Sequence, residues 1–457
     1  MHREETKVEK AVAERRLFTN GQLRRLIIPL VIEQTLAVTV GMADVIMVSS
    51  VGEAAVSGVS LVDMINMLII NVFAALATGG AVVAAQLIGA QERDRACHSA
   101  KQLLVVVSVI SLAVMGLSLA FRAPLLRLLF GEIAPDVMQN AMIYFLLSAL
   151  SYPFLAVYNA SAALFRAQGN SRVSMQVAIV FNLMNVGGNA VFIYGFGMGA
   201  AGAALSSLIA RAAGAVIMTT LLRRPENLVT IGGKGSFRPD PGMIGRILNI
   251  GVPNGLENSM FQLGRILVVG IIAAFGTTQI AANAVANNFD SLGCLPGQAL
   301  SLAIITVVGQ CIGARDYEQA RYYARKLMKI AYIIMIALNI VILATLPLTL
   351  RLYNLSPETM RLATILIFIH DGCAMLLWPA SFTLPNVLRA ANDVRFAMAV
   401  SIFSMWVFRC LFGYVLGSRF GLGAIGVWVA MVMDWIFRAS VFVWRYWSGR
   451  WTRHKIE

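Results

Sequence analysis

Residues 86–101 read QLIGAQERDRACHSAK, and residues 310–325 read QCIGARDYEQARYYAR. Superimposed at a shift of 224, the two segments keep Gln, Ile, Gly, Ala and two later Ala residues in register. The same shift pairs Pro29 with Pro253 and Glu33 with Glu257. At nearly the same shift, FRAQGNSRVSM (165–175) meets LRAANDVRFAM (388–398), and FGMGAAG (196–202) meets FGLGAIG (420–426). The chain is therefore internally duplicated. Uncharged runs between these loops give twelve expected spans: 26–50, 55–88, 102–121, 137–165, 173–195, 199–222, 247–274, 277–311, 328–350, 360–388, 394–417 and 423–444. Each copy crosses the membrane six times, and an even number leaves both copies in one orientation. The expected fold is an all-α membrane protein. Its twelve transmembrane helices would form two six-helix bundles related by a pseudo-two-fold axis along the membrane normal. The expected organisation is an N-terminal segment (1–25), a lobe (26–222), a linker (223–246, RRPENLVTIGGKGSFRPDPGMIGR), a second lobe (247–444) and a tail (445–457).

Composition agrees with this reading. Of 457 residues, 58% are hydrophobic and 13% charged, and mean hydropathy is +0.74, whereas soluble domains carry about 25% charged residues. A soluble enzyme, a secreted domain and a β-barrel are excluded. The net charge of +14 would suggest nucleic acid in a soluble protein, but its location argues otherwise. With the amino terminus inside, 28 of the 37 Lys and Arg fall in inner segments. Five fall in outer loops or at the outer edge of a span (Arg122, Arg127, Arg351, Arg361, Arg419) and four well inside spans (Arg211, Arg265, Arg409, Arg438), with Lys329 and Arg395 at inner edges counted as inner. Both termini are therefore expected in the cytoplasm, facing an anionic leaflet and not a nucleic acid. Residues 1–25 show no cleavage-like segment, so the first span is expected to be an uncleaved anchor. The tail WRYWSGRW (444–451) reads as an interfacial anchor. The five cysteines never form a CxxC pair and read as packing residues, not as a disulfide framework or zinc site. No HExxH, GxSxG or P-loop occurs, and no clustering of His, Cys and carboxylates is visible along the chain. An enzyme is therefore not expected, nor any cofactor. Two parallel bundles suit alternating access.

Several motifs in this order resemble the multidrug and toxic compound extrusion (MATE) transporters over nearly the whole chain. They are the first span IPLVIEQTLAVTVGMADVIMVSSVG (28–52), the loops AAQLIGA (84–90) and VGQCIGA (308–314), FRAQGNSR (165–172), and NxxxN (185–189) followed by GxGxxGAA (197–204). The resemblance implies a monomeric antiporter of the bacterial inner membrane. It would export organic cations or other amphipathic small molecules in exchange for Na⁺ or H⁺. A flippase for lipid-linked oligosaccharides is the alternative, and a channel a more distant one.

A carboxylate inside hydrocarbon costs at least ~3 kcal/mol and so calls for a partner or a function. Asp44, Asn189 and Ser207 each lie eight residues from the glycines of the outer loops, roughly 12 Å deep at the helical rise. Asn185 shares a helix face with Asn189, and Ala203 with Ser207. A carboxylate, two amides and a hydroxyl could converge as hard ligands for Na⁺, and the resemblance implies an ion-coupling site at these positions. The departure is Asn189, where many members carry a second aspartate. The alternative for Asp44 is an interhelical hydrogen bond. Pro29 is either a kink that responds to Asp44 or an ordinary helix-start proline.

Further candidates for substrate or proton are Glu33, Glu257, Asp63, Asp290, His370, Asp371 and Arg265. Glu33 reads as solvated at the inner face or as functional. The resemblance favours Glu257, since members often use a glutamate in the seventh span, and some use an aspartate in the tenth. Asp63/Asn66 and Asn287/Asp290 are matching pairs with carboxylate and amide exchanged, suited to cavity lining or to interhelical hydrogen bonding. His370 and Asp371 diverge by about 100° on a helix, so they need not share a partner. Arg438 is expected to pair with Asp434 and snorkel. Arg211, Arg265 and Arg409 would neutralise carboxylates or attract an anionic group on the substrate.

Overall fold

In the computed structural model, residues 17–131, 134–233, 236–353 and 355–453 are described, apart from the side chains of Met42 and Val45. Among them every regular element is helical, and twelve helices are long and apolar enough to cross a membrane. The first repeat comprises α1 (Asn20–Ser49), α2 (Glu53–Gly89), α3 (Arg93–Phe130), α4 (Pro135–Ala167), α5 (Ser171–Gly195) and α6 (Gly199–Leu222). The second comprises α7 (Pro241–Ala273), α8 (Thr277–Gly293), α9 (Leu295–Gly313), α10 (Tyr317–Tyr353), α11 (Pro357–Ala390), α12 (Val394–Arg419) and α13 (Gly423–Trp447). The eighth span, expected as one helix over 277–311, is interrupted at Cys294. Pro296 has no N–H to return to Leu292, and Cys294 bridges the break by donating its N–H to the Asp290 carbonyl at 3.0 Å. The matching helix α2 has Val72 there and runs unbroken.

The duplication extends to backbone angles. Gly197 and Gly199 have φ of 65° and 59°, and their counterparts Gly421 and Gly423 have 69° and 57°. A side chain rarely adopts this left-handed turn, which explains the repeated GxG. In the turn after α2, Gln91 has φ 61°, and in the matching turn after α9, Arg315 has 55°. Small drifts in the repeat shift have a structural cause as well. The shift is 222 at the start of α4 and α11 and 223 at their ends. α11 contains a π-helical turn, Pro379–Thr383, which accommodates one extra residue. α12 carries two such turns, Met405–Leu411 and Val415–Arg419, against one in α5, Ala190–Gly195, and the shift returns to 224.

Two compact units result among the described residues, one of 24–255 and the other of 256–453 together with 17–23. The linker 223–246 belongs to the first unit because it is tied to α3. Arg93 donates to the carbonyls of Leu228, Pro225 and Asn227, and Lys101 to that of Gly233. Gln102 donates to Arg238 O and accepts from Asp240 N. The start of α7 is in this unit too. It lies so close to α2 that a Cβ on Gly79 would meet the Ile247 carbonyl at 2.7 Å. In the second unit, Leu17 N donates to Gln319 and Phe18 N to Tyr323. The tail folds back there: Trp451 is buried and stacks on Tyr446 at 5.6 Å, while Trp444 and Trp447 stay exposed as interfacial anchors would. Residues 1–16 lie outside the described residues.

Candidate functional site

In the first unit, α1, α5 and α6 bring the four polar side chains together. Asn189 Nδ2 donates to Asp44 Oδ1 at 2.6 Å. With its amide oriented to satisfy both neighbours, Asn185 donates to Asp44 Oδ1 at 2.8 Å and accepts from Ser207 Oγ at 2.9 Å. Close approach of α5 and α6 makes this possible. Gly188 has no room for a Cβ against Ser206, whose hydroxyl donates to the Asn185 carbonyl at 2.6 Å. Asn189 Oδ1 is buried and accepts no hydrogen bond. Ala203 offers no ligand atom from its side chain; it packs with Val48, Ala55, Val59 and Ile193 in an apolar cap. Asp63 accepts from Asn66 and from Tyr144, each at 3.1 Å, and Asn66 in turn accepts from Tyr152 at 2.8 Å. Asp44 and Asp63 lie within Coulombic reach of each other and of Arg211, whose guanidinium donates to Ser151.

Pro29 lies well inside α1 and is no helix-start proline. Lacking an N–H, it leaves the Arg25 carbonyl free, and buried Ser171 donates to that carbonyl at 3.2 Å and to Leu26 O at 2.6 Å. Glu33 is not solvated. Its carboxylate pairs with Arg166 at 3.0 Å and accepts from Ser174 at 2.8 Å.

The second unit repeats that ion pair: Glu257 Oε1 lies 2.7 Å from Arg389 Nη2. Arg389 holds the place of Arg166 in the matched loops. Arg438, absent from the first repeat, adds a second cation 3.8 Å from Glu257. It does not snorkel. It is 2% exposed and lies over the Phe382 ring at 4.2 Å, without an ion pair to the neighbouring Asp434, which bonds Ser404.

His370 Nδ1 lies 2.7 Å from Asp371 Oδ1, and Nε2 lies 2.7 Å from Asp290 Oδ1. The adjacent residues on α11 bond each other, because the imidazole turns back toward its neighbour's carboxylate, while only His370 reaches Asp290. Cys294, read as packing, donates its thiol to Asp290 at 3.2 Å. Asp290, Cys294 and His370 present ligand atoms within 4.8 Å of one another, a cluster able to hold a cation. This clustering was not expected along the chain, although the i, i+4 spacing of Asp290 and Cys294 was a visible signal. Arg265 and Arg409 line a cleft with Asn283, Asn287, Trp428 and Met431. The arginines Arg166 and Arg389 were also missed as partners; their matching places in the repeated loops were the available clue.

Residues 29–191 and 253–415 each match the family model MatE. The chain belongs to the MatE family. It is a multi-pass inner-membrane transporter of small substrates and not an enzyme. It is 28% identical to the uncharacterized transporter YisQ of Bacillus subtilis over 92% of each chain. It is 26% identical to a probable multidrug resistance protein NorM of Thermotoga maritima, over 95% of this chain and 94% of that one. The fold is that of a structure described as the outward-facing conformation of a multidrug resistance MATE family transporter. The TM-score is 0.88 at 21% identity, covering 95% of this chain and 96% of the other.

Proposed function

We propose that the MatE-family chain is a multidrug-type secondary antiporter that exports amphipathic small molecules against inward Na⁺ or H⁺, acting as a monomer with both termini in the cytoplasm. The observation that carries this reading is the Asp44 cluster. Its carboxylate is held by two amide groups and is adjacent to a hydroxyl, in helices that would span the membrane. Protonation of Asp44 would release the two amide donors. Na⁺ would instead draw on Asp44, the unengaged Asn189 Oδ1 and Ser207 Oγ as oxygen ligands. Either event changes the contacts that hold α1 to α5, so the ion favours one arrangement and the substrate another. Pro29, on the same helix, has its freed carbonyl held by a hydroxyl instead of the helical ladder, which gives α1 a place to bend.

The test is uptake of an amphipathic dye into proteoliposomes under an imposed Na⁺ gradient and, separately, a pH gradient, for the wild type and Asp44→Asn. Uptake driven by one gradient and lost in the variant is expected. Gradient-driven uptake that persists in Asp44→Asn would remove Asp44 from coupling. Translocation of a fluorescent lipid-linked sugar without response to either gradient would turn the reading to a flippase.

A further inference from the structure

The second unit holds two guanidinium groups that the coupling scheme does not use. Arg265 lies on α7 eight residues before its end, roughly 12 Å along the helix, and Arg409 lies in the first π turn of α12. Both face one cleft. Among the described residues, neither has a carboxylate within ion-pair distance. Arg409 donates only to the Met431 thioether, at 2.9 Å, and rests over the Phe261 ring at 5.3 Å. Sulfur is a weak acceptor, so most of this guanidinium's donor capacity is unspent. The acids that feel these charges are engaged elsewhere. Asp290 is held by His370 and Cys294, and Asp434 bonds Ser404 through Oδ1 while its Oδ2 has no hydrogen-bond partner and forms no ion pair with either arginine.

We propose that this cleft binds the anionic group, a carboxylate or its equivalent, of an amphipathic substrate between Arg265 and Arg409. Two guanidiniums at membrane depth without ion-pair partners are costly to maintain, which marks them as a ligand site. Their forked donors match a carboxylate. The rest of the lining suits such a molecule. Trp428 donates its indole N–H to Asn283 Oδ1 at 2.9 Å, which leaves the Asn283 amide hydrogens for a ligand. Asn287 adds a second amide, while the Trp428 ring, Met431 and adjacent valines give an apolar wall. Arg265 has no basic counterpart in the first repeat: at the shift of 224 it corresponds to Gly41, and the lining residue Val268 corresponds to Asp44. The inference rests on the antiporter reading for its place in transport, but binding can be measured without transport.

The experiment is equilibrium dialysis of the detergent-purified full chain, with no ion gradient, against 1-naphthoate, its uncharged amide 1-naphthamide and the cation 1-naphthylmethylammonium. Naphthoate is expected to bind about tenfold or more tightly than naphthamide, the value of charge-assisted hydrogen bonds. Arg265→Gln and Arg409→Gln should each remove most of that preference. Arg265→Lys and Arg409→Lys, which keep the charge but lose the fork, should restore part of it. Equal binding of naphthoate and naphthamide overturns the proposal, as does preference for the cation or no binding of any probe. Selectivity for naphthoate that survives both Gln variants overturns it too. Because no gradient is applied, these outcomes do not depend on whether Asp44 couples an ion.

Discussion

The two units share one duplicated backbone, yet their buried polar groups follow different plans. In the first unit the groups that bond Asp44 and Asp63 are amides and a phenol, all neutral, and Arg211 acts on both carboxylates only at Coulombic range. In the second, Asp290 and Asp371 flank an imidazole, and the cleft beside them carries two arginines. Ser148, which contacts Asn66 in the first unit, occupies the place that His370 holds in the second. A carboxylate surrounded by neutral donors can gain or lose a cation with little rearrangement of other charges. One clamped by an imidazole and near arginines takes up a cation only with rearrangement of those charges, since each change leaves another buried charge to be compensated. The difference teaches that duplication preserved the helical frame while the roles of matched positions separated.

The largest effect should follow from exchanging the two carboxylates' fates. Asp44→Asn is expected to abolish gradient-driven uptake, whereas Asp290→Asn should retain its dependence on the same ion, measured in matched proteoliposomes. Loss of ion dependence in both would place coupling in both units and erase the contrast.

Next comes the duplicated ion pair. Glu257→Gln leaves Arg389 and Arg438 buried without a carboxylate and should destabilise by about 3–5 kcal/mol. Glu33→Gln leaves one less buried arginine, with Ser174 still able to bond the amide, and should cost noticeably less. Thermal unfolding in detergent reads both, and equal shifts would show that Arg438 adds nothing.

Pro29→Ala should preserve expression and reduce efflux by restoring the ladder at Arg25, with Ser171→Ala, which removes the substitute hydroxyl, a smaller change of about 1 kcal/mol in stability. The second repeat has Val394 in the matched position of Ser171 and so offers no hydroxyl there for its own proline, Pro253, and Pro253→Ala should affect efflux less. Resistance assays in cells expressing each variant would reverse this ranking if the kink is not confined to α1.

The smallest effect concerns the linker, which only the first unit carries. The His98 ring 2.9 Å from Asp240, aided by the N–H groups of Met243 and Gly242, holds this carboxyl below its ordinary value of 3.8. A depressed carboxyl stabilises the folded form above its unfolded value, and that contribution is lost as pH falls through the folded one. The linker should therefore stay anchored from neutral pH down through the ordinary carboxylate range. Asp240→Asn should raise tryptic cleavage at Arg238 a few-fold at pH 7; an unchanged rate would assign the anchoring to Arg93 and Gln102 alone.

Much of this architecture was legible along the chain. Apolar run length marks a span and repeated loops mark duplication, and both are local properties that survive without knowledge of any distant contact. The Asp44 cluster was also legible in outline, because helical rise and periodicity convert spacing into depth and face. For Glu33 the sequence left a solvated and a functional reading side by side, for the opposite reason. Its partner Arg166 lies 133 residues away, and no periodicity reports which helix packs beside another. The same holds for Arg438, whose nearest acid in sequence, Asp434, is engaged by a serine on another helix.

The helices, their number and their twofold repetition thus follow from the order of residues, since backbone hydrogen bonds inside a membrane must be met within each segment. Which charges meet does not. Pairing depends on rotations and on registers of one residue, such as the π turn of α11 between His370 and Arg389, and those are set by packing among helices distant in the chain. That is why the sequence could name Asp44, Asp290, His370 and Arg265 as unusual. Folding alone made one of them the centre of a cluster of neutral donors, brought two of them together as carboxylate and imidazole, and made the last a wall of a basic cleft.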